Sequence, residues 1–587
     1  MNPDESSPSP LKRRFKLPKA DQIEQAIASF SLTEKVVFFI LAVVFTTSVL
    51  YLVWKVNEAF LVEVPAYGGS LSEGVIGDPR YINPLLPITP SGTDLSSLIY
   101  SGLMKATPSG ALVPDLAKSY TISSDGLTYT FVLKDNLTFQ DGTPLTTDDI
   151  VFTIETAENA DLKSPKAPNW NGVTVNKIDD KTIQFVLRKP YAPFLQNTTL
   201  GILPKHLWEN ISADEFAFSN YNIQPIGSGP YEIKSIKRDS DGLPEYYELT
   251  PFSNYAGGKA YLSDLIIRFY ADEDDLVAAY DQGLVQSISS LSPASAEELK
   301  SGGADVQSVP LPRVFGVFFN QSVNPVLANS EVRQALNTAV DRTTIINTVL
   351  DGYGIPLAGP IPPVLLPQAG DLEQPPVFSA NSITTAKKIL TDAGWSLNAN
   401  GIMEKKTKSS DQVLAFSIST ANTSDLEATA NLLKQQWQAI GAEVTVKVYS
   451  LGDLNQNVIQ TRNYDSLLFG ETIGRDLDLF SFWDSSQRND PGLNISLYAN
   501  STVDTLLEDA RSNPSADERL SDYTSFISHI SKDAPAVFLY SPDFIYIIPH
   551  DLQGLSLGTI TDPSERFLSV DSWYMETDRV WKIFVNH

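Results

Sequence analysis

Carboxylates are the groups this sequence offers most freely for chemistry. Asp148 with Asp149, and Asp476 with Asp478, are spaced to share a proton or to act as an acid–base pair. The chain holds 70 Asp and Glu, so neighbouring acids arise by chance, and a solvated face is the expected place for them. Histidine is scarce: His206, His529, His550 and His587 lie far apart in the sequence, which leaves no local zinc motif. With no cysteine, disulfides, thiolate metal sites, iron–sulfur clusters, cysteine nucleophiles and a lipidated cysteine are excluded. Gly-x-Ser-x-Gly, Walker and His-Glu-x-x-His motifs are absent. Ile226-Gly227-Ser228-Gly229-Pro230-Tyr231 has the glycine spacing of a phosphate loop, but Pro230 removes an amide donor and no Lys-Ser pair follows. The reading is a binding protein rather than an enzyme, with no cofactor and no metal expected.

A large fold must position these residues. A chain of 587 residues corresponds to about four units at roughly 150 residues each. Hydrophobic residues at 42% and aromatics at 10% supply large cores, which excludes wholesale disorder. Against 43 Lys and Arg, the 70 acids leave a formal charge of −27. The clustered cations that a nucleic-acid partner needs are missing.

Residues 36–54, from Val36 to Trp54, run for 19 positions without a charge. At about 1.5 Å per residue, a helix of this length nearly matches the ~30 Å hydrocarbon core of a lipid bilayer. Ser31-Leu32-Thr33-Glu34 before it reads as a capping box. The run ends in bulky Leu50, Tyr51, Leu52 and Trp54 rather than a small-residue cleavage site, which favours an uncleaved signal anchor. Lys12, Arg13, Arg14, Lys16, Lys19 and Lys35 precede it and only Lys55 follows closely, so residues 1–35 are expected in the cytoplasm. The remainder is expected outside, extracellular or periplasmic. The next most apolar stretch, 536–548, is interrupted by Ser541, Pro542 and Asp543.

Beyond the anchor, strand and helix patterns alternate. Tyr129, Phe131 and Leu133, and Ile183, Phe185 and Leu187, have the period of half-buried strands. Asp141-Gly142 makes a turn, and Thr146 to Asp149 caps a helix from about Asp148. Val332, Ala335, Leu336, Ala339 and Val340 mark a helix face, with Ser330 as its cap. Leu426, Ala430, Leu433, Trp437 and Ile440 mark another, closed by Gly441 and followed by a strand over Glu443–Tyr449.

Three stretches carry a family likeness. The first runs from Val113-Pro114-Asp115-Leu116-Ala117, through Asp125-Gly126 and Tyr129-Thr130-Phe131, to Phe139-Gln140-Asp141-Gly142-Thr143-Pro144-Leu145-Thr146. The second is residues 226–231, and the third is Val332-Arg333-Gln334-Ala335-Leu336 with Ala339-Val340-Asp341-Arg342. Ala393-Gly394-Trp395 and Leu497-Tyr498 follow in order. This series resembles the extracellular solute-binding proteins of family 5, the dipeptide- and oligopeptide-binding receptors of ATP-driven importers. The resemblance implies an α/β fold, a periplasmic-binding-protein-like type II clamp with three ectodomain lobes, preceded by one transmembrane helix. Lobe I would comprise 64–109, 206–310 and 530–587; lobe II, inserted, 110–205; and lobe III, 311–529, with the anchor at 36–55. The implied partners are a peptide or peptide-like ligand and the permease subunits of an ABC transporter.

In such relatives a carboxylate in a segment like G-W-x-x-D-x-x-D-P neutralises the peptide's α-amino group. Here that segment is Gly470-Glu471-Thr472-Ile473-Gly474-Arg475-Asp476-Leu477-Asp478. Counting from either end reaches Gly474 or Ile473, neither acidic, so Glu471 or Asp476 is the stand-in to examine. Phe469, Phe480 and Trp483 flank the segment as core or ligand contacts. Arg475 and Arg462 are candidates for a ligand carboxylate, and Glu73, Gly74 and Val75 end a first strand that approaches ligand in the family. Rival readings are a non-transport sensor or assembly factor with the same fold and, further off, an exported hydrolase.

Overall fold

The computed structural model describes residues 20–86, 88–369, 374, 375, 377–407 and 411–585. Lys12, Arg13, Arg14, Lys16 and Lys19, on which the orientation rests, lie outside the described residues, as does His587. The chain divides into two units, one of residues up to Pro65 with Thr577 onward, the other Ala66–Glu576.

The smaller unit is built on a 29-residue helix, Leu32–Phe60, none of whose residues is buried. Its start is the capping box expected from the sequence. The Ser31 hydroxyl accepts from the Glu34 amide, and the Glu34 carboxylate accepts from the Ser31 amide at 2.8 Å. Thr46 and Thr47, two of the polar residues mid-span, donate their hydroxyls to the carbonyls of Ala42 and Val43. Both hydroxyls are thereby satisfied within the helix. Among the described residues this is the one helix long and apolar enough to cross a membrane. The chain then enters the strand Leu61–Ala66, which pairs with Glu576–Trp581. The Trp581 indole donates to Asn57 at 2.8 Å and stacks on Phe60, and Arg579 meets Glu63 at 3.1 Å.

In the larger unit, a twelve-stranded sheet has Ala536–Ile548 as its shared member. The first half of this strand pairs antiparallel with Arg313–Phe319, from Phe318↔Ala536 to Phe315↔Tyr540. The second half pairs with Asp305–Pro310, from Pro310↔Asp543 to Asp305↔Ile548, and with Ser287–Ser289. On one side the sheet continues through Ser466–Thr472, Ala415–Ala421 and Glu443–Tyr449, the last two parallel; on the other through Ser70–Ile76 and Asp264–Tyr270, also parallel, to a hairpin. The apolar side chains gather accordingly. One large core draws on residues 314–540, and a second on 71–269 with 311 and 544–573.

Local patterns account for these elements. Tyr129, Phe131, Leu133, Ile183, Phe185 and Leu187 are buried on one face of a four-stranded sheet. The helix Thr147–Glu158 begins one residue before the expected position, capped by Thr146 with Asp149 as reciprocal partner. Val332, Ala335 and Leu336 are buried on the helix Ser330–Thr338, but its cap position is Asn329 and not Ser330, which is the first helical residue. Leu426, Ala430, Leu433 and Trp437 bury one face of Ser424–Gln438. Gly441 follows at φ +91°, where a Cβ would be strained, and the strand Glu443–Tyr449 begins two residues later.

A candidate ligand cavity at the strand crossing

Two lengths of chain connect the sheet's halves. One is the turn Leu311-Pro312-Arg313 between Asp305–Pro310 and Arg313–Phe319; the other is the middle of Ala536–Ile548. They are bonded to each other: the Leu311 amide donates to the Pro542 carbonyl at 2.9 Å, and the Ser541 hydroxyl donates to the Leu311 carbonyl. Against this crossing lies a cavity of about 570 Å³, within the size range of small-ligand sites. Val75 and Ile76 form an apolar wall, the start of the helix Pro90–Ile99 another, and Arg313 and Asp543 come from the two crossing chains.

Behind one wall sits a buried charge network. Arg566 donates to Glu73 at 2.7 Å and to both oxygens of Asp94 at 2.8 and 2.7 Å, while the Tyr546 hydroxyl donates to Glu73 at 2.7 Å. Burial pushes both carboxyls above their ordinary range, and the guanidinium pulls them back; the same two acids hold the proton on Arg566 more firmly. The charges on the crossing itself are not so served. Nε of Arg313 and Oδ1 of Asp543 are buried without a hydrogen-bond partner. Burial raises the Asp543 carboxyl, with a hydrogen bond from Ser308 in opposition.

The segment 466–483 leads away from this cavity. Glu471 pairs across the strands with Val314 and is 4% exposed, and neither carboxylate oxygen has a partner. Burial alone lifts its carboxyl well above the usual range. Arg475 donates to Glu565 at 2.7 Å and to the Thr559 carbonyl at 2.9 Å, with Nε and Nη1 unpartnered. Asp478 accepts from the Tyr191 hydroxyl at 2.9 Å and meets Arg511 at 3.0 Å, while Arg511 covers the Phe480 ring.

Residues 111–491 match the family model described as bacterial extracellular solute-binding proteins, family 5 Middle. The chain belongs to this family. It is 28% identical over 520 residues to the oligopeptide-binding protein AppA of Bacillus subtilis, covering 87% of this chain and 92% of that one. Among solved structures, it is similar to the ABC transporter substrate-binding protein CtaP of Listeria monocytogenes, with a TM-score of 0.72 at 28% identity over 87% of this chain and all of the other. It is also similar to B. subtilis AppA in complex with a nonapeptide, with a TM-score of 0.65 at 26% identity over 87% of this chain and all of the other. The α/β fold of a type II periplasmic binding protein follows.

Within this family 5 chain, the residues singled out from the sequence do not converge on one place. Val75 lines the cavity, whereas Glu73 is fully buried and engaged by Arg566 and Tyr546. Gly74 is a packing position, since a Cβ there would lie 2.5 Å from Leu276. Arg462 is satisfied by the carbonyls of Ile459, Arg488 and Gly492. Trp483 is core, against Phe318 and Phe538, with Phe469 partly buried beside the same core. Gly470 lies under the Phe315 ring, Thr472 is exposed, and Ile473 is buried with its amide on the Pro312 carbonyl. Asp148 pairs with Lys177 at 2.8 Å and Asp149 caps a helix, so that acid pair is spoken for. The glycines of 226–231 let the loop pass the end of a helix: a Cβ on Gly227 would lie 2.0 Å from the Ile99 carbonyl.

Of the two charged cavity residues on the crossing, Asp543 has a local signal, since Ser541-Pro542-Asp543 breaks an otherwise apolar run, and nothing in the neighbourhood of Arg313 marks it.

Proposed function

We propose that this chain is a membrane-anchored receptor that captures extracellular peptides or peptide-like solutes and passes them to an ATP-driven permease, with no covalent chemistry. The cavity at the strand crossing is the observation that carries the reading. A ligand there touches both chains that connect the sheet's halves, so its affinity differs between open and closed arrangements, and that difference is what closes a clamp. Peptides are favoured as cargo by the likeness to an AppA seen with a nonapeptide.

The lobes in this reading are 64–109, 206–310 and 530–587; 110–205; and 311–529. Two buried-core groups joined through one shared strand agree with the division between the first and third. Arg475–Glu565 then joins lobe III to lobe I, and Asp478–Tyr191 joins lobe III to lobe II. Both act as closure latches. Arg475→Met leaves a nearly buried Glu565 without its cation, at a cost of about 3 kcal/mol in the closed form alone. The open-to-closed ratio is expected to rise about a hundredfold, read as a larger radius of gyration in small-angle X-ray scattering at saturating ligand. An unchanged radius would remove the latch.

The helix Leu32–Phe60 is the anchor, with residues 1–35 in the cytoplasm. Its exposed apolar surface is the support, and the adjoining strand pair, with Trp581 stacked on Phe60, puts further aromatic surface just beyond the apolar run.

Native and then denaturing mass spectrometry of the purified full chain tests the function. A ladder of short peptides released on denaturation is expected. One discrete non-peptide mass would change the cargo class, and an empty protein whose melting temperature ignores a peptide library would overturn capture altogether.

A further inference from the structure

The segment after the strand Glu576–Trp581 is apolar and exposed, and it starts beside the end of the long N-terminal helix. We propose that Trp581, Ile583 and Phe584 make a second membrane contact, seated in the headgroup layer on the outer side of the bilayer. The inference rests on the anchor reading above and goes beyond it, because the chain then meets lipid twice.

Depth along the helix sets the level of this segment. The charge-free run closes at Trp54, and the helix continues unbroken to Phe60. At about 1.5 Å per residue, Asn57 stands about 4.5 Å and Phe60 about 9 Å beyond Trp54. Headgroups occupy roughly 5–7 Å on each side of the hydrocarbon core, so Asn57 falls within that layer and Phe60 near its outer edge. Lys55 marks the same boundary. Its ammonium lies 4.9 Å from the centre of the Trp54 ring and 3.4 Å from Glu58, as for a cation that lays its stem on apolar surface and keeps its charge in water.

The returning strand comes down to this level. Arg579 meets Glu63 at 3.1 Å, and two residues later Trp581 donates to Asn57 at 2.8 Å and stacks on Phe60. Contacts that advance along one segment while retreating along the other mark an antiparallel pair. The strand therefore runs back towards the helix, and so towards the bilayer. The 3-10 turn Lys582–Phe584 follows at once. At about 2 Å per residue it keeps Ile583 and Phe584 within about 6 Å of Trp581 along the chain.

The side chains suit lipid. Ile583 is 75% exposed and Phe584 72%, beside a half-exposed Phe60 and Trp581. Side chains of this kind gain by leaving water, and an indole ring favours the layer between water and hydrocarbon. Neighbouring polar groups are engaged within the protein, Glu63 by Arg579 and Asn57 by the indole. Lys582, exposed between Trp581 and Ile583, brings a cation within reach of lipid phosphate. Lipid is favoured over a protein as the occupant because Phe60 and Trp581 make the patch continuous with the apolar helix.

The test uses the full chain in lipid nanodiscs. The chain has no cysteine, so Ile583→Cys, Phe584→Cys and the mid-span Phe45→Cys each carry a single environment-sensitive fluorophore. The nanodiscs contain lipid spin-labelled either at the headgroup or deep in the acyl chain, and the same fluorophore on free cysteine is the reference for water. Labels on Ile583→Cys and Phe584→Cys are expected to emit at shorter wavelength than the reference and to lose more emission to the shallow spin label than to the deep one. The Phe45→Cys label should show the reverse order. Adding Ile583→Asp to Phe584→Cys should return its emission to that of the reference. Tip labels that match the reference while Phe45→Cys is quenched by deep lipid would overturn the second contact and leave the anchor standing. A blue-shifted tip that neither lipid quenches would overturn it in favour of a second copy covering the patch. Quenching that survives Ile583→Asp would reduce the contact to proximity and overturn insertion. A Phe45→Cys label untouched by deep lipid would overturn the anchor, and the second contact with it.

Discussion

Arg566→Met is expected to destabilise the protein by about 4 kcal/mol at pH 7.5, the scale for removing one member of a buried ion pair. Arg566 is fully buried and supplies the only guanidinium that touches Glu73 and Asp94 among the described residues. Without it, two acids remain in an apolar setting with only the Tyr546 hydroxyl to serve one of them. Both folded-state carboxyls already lie above the unfolded range, and the variant raises them further. A carboxyl raised on folding contributes stability below its unfolded range, and that contribution is lost as pH climbs toward the folded value. The deficit should therefore be small near pH 4.5 and large at pH 7.5, as read from urea midpoints. Adding Glu73→Gln and Asp94→Asn to Arg566→Met should recover much of the loss by removing the stranded charges. A loss that is equal at both pH values and unmoved by the two amides would mean that lost packing, not charge, is responsible. The same variant should weaken ligand retention, because Arg566 and Asp94 form part of the cavity wall.

That network shows where reading the sequence stops. Features whose cause lies within one element were open to it. The capping box at Ser31 and Glu34, the helical stripe from Leu426 to Trp437 and the strand Glu443–Tyr449 each follow from spacing over a dozen residues or fewer. The ordered motifs pointed to family 5 for the same reason, since each motif is local. Glu73 and Arg566 are 493 residues apart, and no periodicity in either neighbourhood announces the other. The cavity draws Arg313 and Asp543 from two lengths of chain 230 positions apart (543 − 313). The burial of Glu471 is hidden from the sequence for a different reason. Its type argues for solvent or ligand, but its place opposite Val314 on an interior strand puts it in the core. Burial there is decided by neighbouring strands rather than by its own sequence.

Glu471→Met is expected to stabilise the protein, and increasingly so as pH rises. The wild-type side chain is buried, with both oxygens unpartnered and the Tyr464 ring as its titratable neighbour. It therefore folds most readily with a proton bound. Above the ordinary carboxylate range the unfolded chain gives that proton up and the folded chain keeps it. Wild-type stability then falls by up to about 1.4 kcal/mol per pH unit from this one group, until its folded-state value is reached. Methionine matches the volume and has nothing to titrate. The gap between the urea midpoints of variant and wild type should thus be narrow at pH 4.5 and widen through pH 6 to 7.5. A gap that stays constant would mean that Glu471 folds ionised and finds a cation. Peptide retention separates this role from that of an amine anchor. Glu471→Met is expected to retain a peptide library as the wild type does, because Glu471 lies outside the cavity, while an anchor at Glu471 would be lost with its carboxylate. Stability gained with binding intact is the combination expected of an acid that is buried in the core and takes no part in holding a ligand.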